Sequence, residues 1–100
     1  MPRPLGVTSL RILAAIRDGE SFGLEIVRSA GLPSGTVYPT LSRLKGSGLV
    51  HPRWEDQRIA EREGRPRRRY YELTAAGARA LEEGTARILD TAALLDPSSA

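Results

Sequence analysis

Apolar residues recur at helical spacing in three short segments near the start of the chain. Residues 8–18, 21–30 and 35–47 place their large apolar side chains three or four positions apart, which is typical of helices with one buried face. Glycine follows the first two segments, and Gly46-Ser47-Gly48 ends the third, as is common at helix C-termini. The pattern predicts three consecutive short helices, the last two joined through Gly31-Leu32-Pro33.

The pattern then changes from helical spacing to alternation. Residues 49–54 and 66–73 alternate between apolar and polar positions, which is typical of strands that bury one face. The charged residues 55–65 between them predict a loop. The whole segment is therefore interpreted as a two-stranded hairpin with a long, arginine-bearing loop. We expect Trp54 to pair with Tyr70 across the two strands and to pack in the core, and a role in ligand binding is the alternative for Trp54.

A long helix is predicted from Thr74, a good N-cap residue, to about Leu95. Its apolar stripe is narrow, with Leu81, Ile88 and Leu95 spaced by seven on a helix of about 33 Å at 1.5 Å per residue. A body of about 70 residues is too small to bury such a helix along its whole length. We interpret the stripe as a surface for a second copy of the chain. The candidate dimerisation residues are Leu81, Ile88, Leu89, Ala92 and Leu95.

Charge is distributed unevenly along the 100 residues, a length that allows one domain or one domain plus an extra element. Fifteen Lys and Arg against twelve Asp and Glu leave a formal net charge of only +3. Residues 1–50 and 51–70 each carry a net +3, whereas residues 71–100 carry −3. A basic body with an acidic C-terminal segment indicates a polyanion as partner.

Several classes of protein are disfavoured by composition. The chain has no cysteine and one histidine, so we predict no disulfide, no metal site and no thiol chemistry. No Ser/His/Asp order, paired carboxylate pattern or glycine-rich phosphate loop is evident, so we predict no enzymatic activity, no catalytic residue and no cofactor. Arg11 and Arg17 interrupt the nearest apolar stretch, which predicts neither a signal peptide nor a membrane span. We expect a cytoplasmic protein.

Two groups of polar side chains are candidates for contacting nucleic acid. Hydroxyl groups at a helix N-terminus suit phosphate oxygens, and an arginine suits the guanine edge in a bidentate contact. The third helix and the hairpin loop carry such residues: Ser34, Thr36, Tyr38, Thr40 and Arg43, then Arg62, Arg65, Arg67 and Arg68. The alternatives are helix capping by Ser34 and Thr36, and a solvated loop neutralised by its own acidic residues. Arg69 shares the parity of Tyr71 and Leu73 and is an alternative structural residue.

The order of these elements is that of a winged helix-turn-helix protein, and the motifs resemble the PadR-like transcriptional regulators. The resemblance covers about residues 8–81. It rests on the following stretches, in order: Phe22-Gly23-Leu24-Glu25-Ile26, Gly35-Thr36-Val37-Tyr38-Pro39-Thr40-Leu41, Arg43-Leu44, Gly48-Leu49-Val50, Trp54, residues 64–74 (GRPRRRYYELT) and Gly77. The resemblance implies a dimeric, ligand-responsive repressor whose C-terminal helix makes the dimer.

We therefore predict a mainly α fold with a small β-hairpin: a winged-helix DNA-binding domain at 1–73, a dimerisation helix at 74–96 and a disordered tail at 97–100. The expected partners are double-stranded DNA with a pseudo-palindromic operator, a second copy of the chain and an unidentified small-molecule effector. In a prokaryotic cell the protein would then associate with the nucleoid. The alternative is a winged-helix interaction module that docks an acidic protein with the same surface.

Overall fold

The computed structural model describes residues 4–19 and 22–99, and the mainly α fold with a small hairpin is confirmed. Each predicted helix forms within two residues of its expected bounds. The elements are, in order, α1 (Val7–Arg17), α2 (Gly23–Ala30), α3 (Ser34–Gly46), β1 (Val50–Trp54), α4 (Gln57–Arg62), β2 (Arg69–Leu73) and α5 (Ala75–Leu95).

The first three helices enclose the core with the apolar stripes that their sequences predict. The most deeply buried apolar side chains come from all three helices: Ile12, Leu13, Ile26, Val37 and Leu41. Gly31 ends α2 in the left-handed conformation, with φ of 66°, which glycine adopts without the steric cost of a Cβ. This tight ending lets α3 begin at Ser34, after only two more residues.

The antiparallel strands β1 and β2 form the hairpin, in a register that runs from Val50 opposite Leu73 to Trp54 opposite Arg69. The predicted pairing of Trp54 with Tyr70 is wrong, because Tyr70 projects from the other face of the sheet. Its ring meets Phe22 edge to face instead, with centroids 5.8 Å apart. Trp54 remains 55% exposed, so the expectation that it packs in the core is also wrong.

The loop predicted between the strands contains the short helix α4. Asp56 caps its N-terminus, since the side chain accepts a hydrogen bond of 2.8 Å from the backbone N–H of Arg58. Ala60 is the buried residue of this helix. The loop prediction is corrected accordingly: residues 50–73, here called the wing, form a hairpin whose tip is helical.

Thr74 caps α5 as predicted, because its Oγ1 accepts a hydrogen bond of 3.0 Å from the Gly77 N–H. The same hydroxyl donates to the Gly48 carbonyl at 2.6 Å and so joins α5 to the start of the wing. At the far end, Pro97–Ser99 form one turn of 3-10 helix, with Ser98 bonded to Asp96, where a disordered tail was expected. Ala100 of that predicted tail lies outside the described residues.

Two kinds of feature are absent from the described ranges 4–19 and 22–99. Within them, no helix combines the length and apolar character that crossing a lipid bilayer requires. In the same residues, no three His, Cys, Asp or Glu side chains are grouped closely enough to hold a metal ion.

Candidate nucleic-acid interface

The helix α3 divides into a buried and an exposed face. Val37, Leu41 and Leu44 pack into the core, whereas Ser34, Tyr38 and Arg43 are exposed. Pro33 is the N-cap and Ser34 is the first residue inside the helix, so the alternative in which the Ser34 side chain caps α3 is wrong. Its hydroxyl therefore lies at an exposed helix N-terminus, where a phosphate oxygen is favoured by the helix dipole and by free backbone N–H groups.

Thr40 is an exception among the predicted contacts of α3, because only 1% of it is exposed. Its Oγ1 donates to the Thr36 carbonyl at 2.7 Å and accepts a hydrogen bond from Nη2 of Arg43 at 3.1 Å. A buried hydroxyl cannot reach a phosphate, so the prediction that Thr40 itself contacts DNA is wrong. The residue instead fixes the direction of Arg43, the candidate guanine reader.

Tyr38 reaches from α3 to the start of α2. A Cβ placed on Gly23 would lie 2.6 Å from Cε1 of the Tyr38 ring and 2.8 Å from its hydroxyl oxygen. The absence of a side chain at position 23 therefore lets the phenol approach the α2 backbone. Half of the ring remains exposed, and its hydroxyl is a candidate donor to phosphate.

The wing presents arginines that are held by contacts other than ion pairs. Arg67 donates from Nε to the Glu55 backbone carbonyl at 2.9 Å, and its Cζ lies 5.6 Å from the Trp54 ring centroid. Arg68 stacks on Phe22, with Cζ 4.2 Å from the ring centroid. In the described part of the chain, neither guanidinium group has a carboxylate within ion-pair distance. Both charges are thus available to an external anion.

Arg65, by contrast, is neutralised inside the protein. Its Nη1 and Nη2 donate to the two carboxylate oxygens of Glu55 at 2.6 and 2.9 Å, and its Nε donates to Glu63 at 2.8 Å. The guanidinium fork is fully committed to two carboxylates, so the structure does not support the predicted role of Arg65 as a phosphate ligand. Arg69, the suspected structural residue, is half-buried, with its Cζ 5.8 Å from the Trp54 and Tyr71 rings.

Glu55 is the residue of the wing that the sequence did not single out. It is 5% exposed, and besides Arg65 it accepts hydrogen bonds from the Arg68 backbone N–H and the Tyr70 hydroxyl. These hydrogen bonds, above all those from Arg65, lower the pKa of the Glu55 carboxyl to about 2. The sequence shows four acidic residues between the strands, and nothing in their order distinguishes the buried one.

One groove brings α3 and the wing together. It has a volume of about 550 Å³, and its lining includes side chains from α3, both strands and the start of α2. The lining residues that matter for binding are the exposed Tyr38, Trp54 and Arg67 and the half-buried Arg68. Arg62 lies outside this lining, on α4 at the tip of the wing, where it is exposed. The groove combines cationic, aromatic and hydroxyl groups, which are the groups that contact a nucleic-acid backbone.

Four of the five predicted dimerisation residues of α5 are exposed, and one is buried. Ile88, Leu89 and Leu95 are 43%, 64% and 77% exposed, and Ala92 is exposed as well. Leu81 belongs instead to the core of its own chain, with 5% exposed, so its predicted place in an interface with a second copy is corrected. Leu94, which the spacing by seven did not include, is the most exposed large apolar residue of the helix.

The comparison with known families agrees with this geometry. The sequence model of the transcriptional regulator PadR-like family matches residues 12–83, which covers the core helices, the wing and the first part of α5. The chain belongs to the PadR-like family. No curated protein matches the sequence.

Solved structures show the same fold as this PadR-like regulator. A PadR family transcription regulator from Clostridium difficile R20291 matches with a TM-score of 0.72 and 23% identity, over 87% of this chain and 94% of that one. PcaV from Streptomyces coelicolor, solved with its natural ligand, matches with a TM-score of 0.77 and 20% identity, over 92% of this chain and 61% of that one. This chain therefore spans less than two thirds of the PcaV chain.

A third similar structure is that of BpsR from Bordetella bronchiseptica, whose DNA binding is regulated by 6-hydroxynicotinic acid. It matches with a TM-score of 0.67 and 21% identity, over 99% of this chain and 74% of that one. These similarities confirm the winged-helix fold with a long C-terminal helix. The family match adds that this fold belongs to a member of a family of transcriptional regulators.

Proposed function

We propose that this regulator is a repressor that binds a pseudo-palindromic operator as a homodimer. The observation that supports this best is the shared groove, in which Tyr38 of α3 adjoins Arg67 and Arg68 of the wing. A winged helix with this arrangement inserts its second helix-turn-helix helix into the major groove and lays the wing along the adjacent backbone. Such a repressor would act in the cytoplasm of a prokaryotic cell, on nucleoid DNA.

The two parts of the surface have different tasks in this proposal. Arg43 reads a guanine edge, while Ser34, Thr36 and Tyr38 bind phosphate oxygens at the start of α3. Arg62, Arg67 and Arg68 bind phosphates from the wing. The phosphate contacts set affinity and its salt dependence, and the base contact sets sequence preference.

The direct test uses DNA from immediately upstream of the protein's own coding region, because repressors of this kind are often autoregulated. Fluorescence anisotropy should show binding that survives a large excess of bulk genomic DNA, together with protection of an inverted repeat in footprinting. Binding that bulk DNA competes away completely would contradict sequence-specific recognition. Tight binding to an acidic protein in its place would favour the interaction-module alternative.

The salt dependence of binding tests the wing separately. Arg67→Gln and Arg68→Gln should each reduce the slope of log K against log salt concentration by about 0.9, the amount expected for one lost phosphate contact. The matched control is Arg79→Gln, which removes an exposed positive charge from α5. Arg67 and Arg68 are excluded as phosphate contacts if both variants retain the slope of the wild type and of Arg79→Gln.

The homodimer proposal is supported by the exposed apolar residues of α5 and by a neighbouring groove of about 520 Å³. That groove is mostly apolar, and Leu5, Val7, Ile88, Ala92 and Leu95 contribute to its lining. A contiguous exposed apolar patch on a folded protein commonly marks a site of contact with another protein. A second α5 offers the same leucine and isoleucine side chains in return, as a two-fold interface requires.

A small-molecule response is proposed from the two similar structures, since PcaV was solved with its natural ligand and BpsR is regulated by 6-hydroxynicotinic acid. The probes are 6-hydroxynicotinic acid and benzoate, added to the protein–DNA complex during anisotropy measurements. We expect one of them to weaken binding at least tenfold. Unchanged affinity with both would exclude simple aromatic acids as the effector class.

A further inference from the structure

One acidic residue of the wing, Glu55, uses its carboxylate and both of its backbone polar groups on residues 65–70, the segment that leads into β2. Glu55 directly follows β1, and it is the only buried carboxylate among residues 4–19 and 22–99. Burying a charge is unfavourable unless hydrogen bonds and an opposite charge compensate for it. A carboxylate retained in this position therefore requires a precise set of partners.

Those partners are all close together in sequence. The Glu55 carboxylate binds the Arg65 fork at 2.6 and 2.9 Å, the Arg68 N–H at 3.3 Å and the Tyr70 hydroxyl at 3.4 Å. Its backbone N–H donates to the Arg68 carbonyl at 2.8 Å, and its backbone carbonyl accepts from Arg67 Nε at 2.9 Å. One residue thus contacts four residues between positions 65 and 70.

These contacts close the wing at the point where its strands separate. The Glu55–Arg65 ion pair joins the two ends of the segment that contains α4. The backbone hydrogen bond from Glu55 to Arg68 extends the strand pairing one position beyond Trp54 and Arg69. The hydrogen bond from Arg67 Nε to the Glu55 carbonyl orients the Arg67 side chain. Both of its Nη groups are left without an acceptor among the described residues. The backbone that carries the outward-facing Arg67 and Arg68 is therefore held by contacts to Glu55, whose carboxylate faces inward.

We propose that Glu55 is a positioning residue for DNA binding, which holds the wing so that Arg67 and Arg68 meet phosphate in a preformed arrangement. The inference rests on the proposed function, in that the wing arginines bind the DNA backbone. Preformed side chains lose less conformational entropy on binding than side chains that must first be ordered. A bidentate arginine also gives this anchor a fixed geometry, which lysine cannot reproduce.

Removing the charge of Glu55 has opposite expected effects on DNA affinity, depending on whether net charge or the position of the wing dominates. Glu55→Gln raises the net charge of the protein by one, and added positive charge near DNA ordinarily strengthens binding. If Glu55 positions the wing, this variant binds the upstream DNA fragment about tenfold more weakly, because two long side chains must then be ordered on binding. The slope of log K against log salt also becomes shallower as phosphate contacts are lost.

The matched control is Glu61→Gln, which makes the same charge change at an exposed position of α4. It should bind as tightly as the wild type or more tightly. A second test variant, Arg65→Lys, keeps the charge but removes the fork, and it should also bind about tenfold more weakly. It serves as the primary test if circular dichroism shows that Glu55→Gln does not fold. Affinities for Glu55→Gln and Arg65→Lys equal to that of Glu61→Gln would overturn the proposal.

Amide hydrogen exchange of the free protein separates this inference from the proposed function. Residues 55–70 should exchange at least tenfold faster in Glu55→Gln and Arg65→Lys than in Glu61→Gln. If the wild type shows no preference for the upstream DNA, the proposed function fails, and faster exchange still supports Glu55 as the anchor of the wing. Unchanged exchange in both test variants overturns the anchor whatever the DNA result.

Discussion

Thr40 and Arg43 lie about one helical turn apart on α3, and their hydrogen bond makes the direction of an exposed cation depend on a buried hydroxyl. The hydroxyl is held in turn by the Thr36 carbonyl, so its lone pair faces the guanidinium group. An arginine restrained in this way loses fewer rotamers when it binds a base. The predicted specificity of α3 therefore involves a residue that never reaches the DNA.

We predict that Thr40→Val reduces the preference for the operator over bulk DNA by about three- to tenfold, a fraction of the 1–3 kcal/mol expected of a good bidentate base contact. Valine keeps the buried shape, and the Thr36 carbonyl retains its helical hydrogen bond from the residue-40 N–H. The free energy of unfolding should fall by only about 1 kcal/mol. Competition anisotropy and urea unfolding measure the two effects.

A double-mutant cycle shows whether Thr40 acts through Arg43. Arg43→Ala alone should remove most of the operator preference, and Thr40→Val should have no further effect in that background. Additive losses from the two substitutions would mean that Thr40 influences binding by another route, such as a change in the packing of α3.

Glu55 gives the stability of the protein a defined dependence on pH. The Arg65 hydrogen bonds lower its pKa from 4.5 to about 2, so the ionised form is favoured in the folded state. The stabilisation is fully present above pH 4.5, and it is lost as the pH falls through 2. We expect wild type and Glu55→Gln to differ in free energy of unfolding at pH 7 and to converge towards pH 2.

Urea unfolding followed by circular dichroism at pH 7, 4.5, 3 and 2 measures this convergence. Glu61→Gln is the control, because that side chain is exposed and should give a difference from wild type that is small at every pH. If the difference in free energy of unfolding between wild type and Glu55→Gln stays constant from pH 7 to pH 2, the lowered pKa of Glu55 is contradicted.

Among the elements, α5 is joined to the body of the protein at two glycines with different neighbours. A Cβ on Gly77 would collide with the backbone carbonyl of Leu49, where the chain enters β1. A Cβ on Gly84 would collide with the side-chain methyl groups of Leu10 on α1. A backbone carbonyl fixed next to a strand cannot move aside, whereas a leucine side chain can change its rotamer.

We therefore predict that Gly77→Ala lowers the free energy of unfolding by about 2–4 kcal/mol, within the range of severe steric substitutions. Gly84→Ala should cost less than about 1 kcal/mol, since alanine gains about 1 kcal/mol of helix propensity that offsets the displacement of Leu10. Thermal and urea unfolding of the two variants provide the comparison. Equal destabilisation would mean that the Gly77 contact relaxes as readily as the Gly84 contact.

The elements also show where sequence reasoning succeeds and where it stops. The spacing of apolar residues predicts α1, α2, α3 and α5, because each of these helices buries one face and its apolar residues therefore recur every three or four positions. The sequence pattern did not predict α4, because six residues, four of them polar, are too few to display a helical period. Its signals were Asp56, a good N-cap, and the apolar pair that follows at positions 59 and 60.

The sequence predicted which types of residue form the candidate site, but it did not predict which residue each of them contacts. Arg65 and Arg67 look alike in sequence, and only the tertiary contact with Glu55 assigns one inward and the other outward. Thr40 was chosen for its hydroxyl, although its spacing from Val37, Leu41 and Leu44 placed it beside the buried stripe. The local sequence pattern identifies candidate binding residues, and their burial in the folded protein then decides which of them can contact a ligand.

For the molecule as a whole, the net charge of +3 results from the cancellation of two separated regions. Residues 1–70 carry +6 and include α3 and most of the wing, whereas residues 71–100 carry −3 and include the whole of α5. This separation favours one orientation towards DNA, with α5 away from the phosphates. Within this region α5 carries two basic and three acidic side chains, so it offers no net positive charge to phosphate.

The apolar stripe of α5 is the proposed contact with a second copy of the chain, and its residues differ in how far they are buried. Ile88→Glu and Leu95→Glu place a charge at exposed positions, so each should leave the monomer folded and raise the dimer dissociation constant at least about tenfold. Leu81→Glu places a charge in the monomer core and should lower the free energy of unfolding by about 3 kcal/mol or more.

Ala86→Glu is the matched control, because residue 86 lies about 200° around the helix from Ile88 and is exposed. Sedimentation velocity across a concentration series, with circular dichroism for folding, separates the three outcomes. Dimers of unchanged affinity in both Ile88→Glu and Leu95→Glu would exclude the end of α5 from the interface. Loss of the dimer in Ala86→Glu alone would place the interface on the opposite face of the helix.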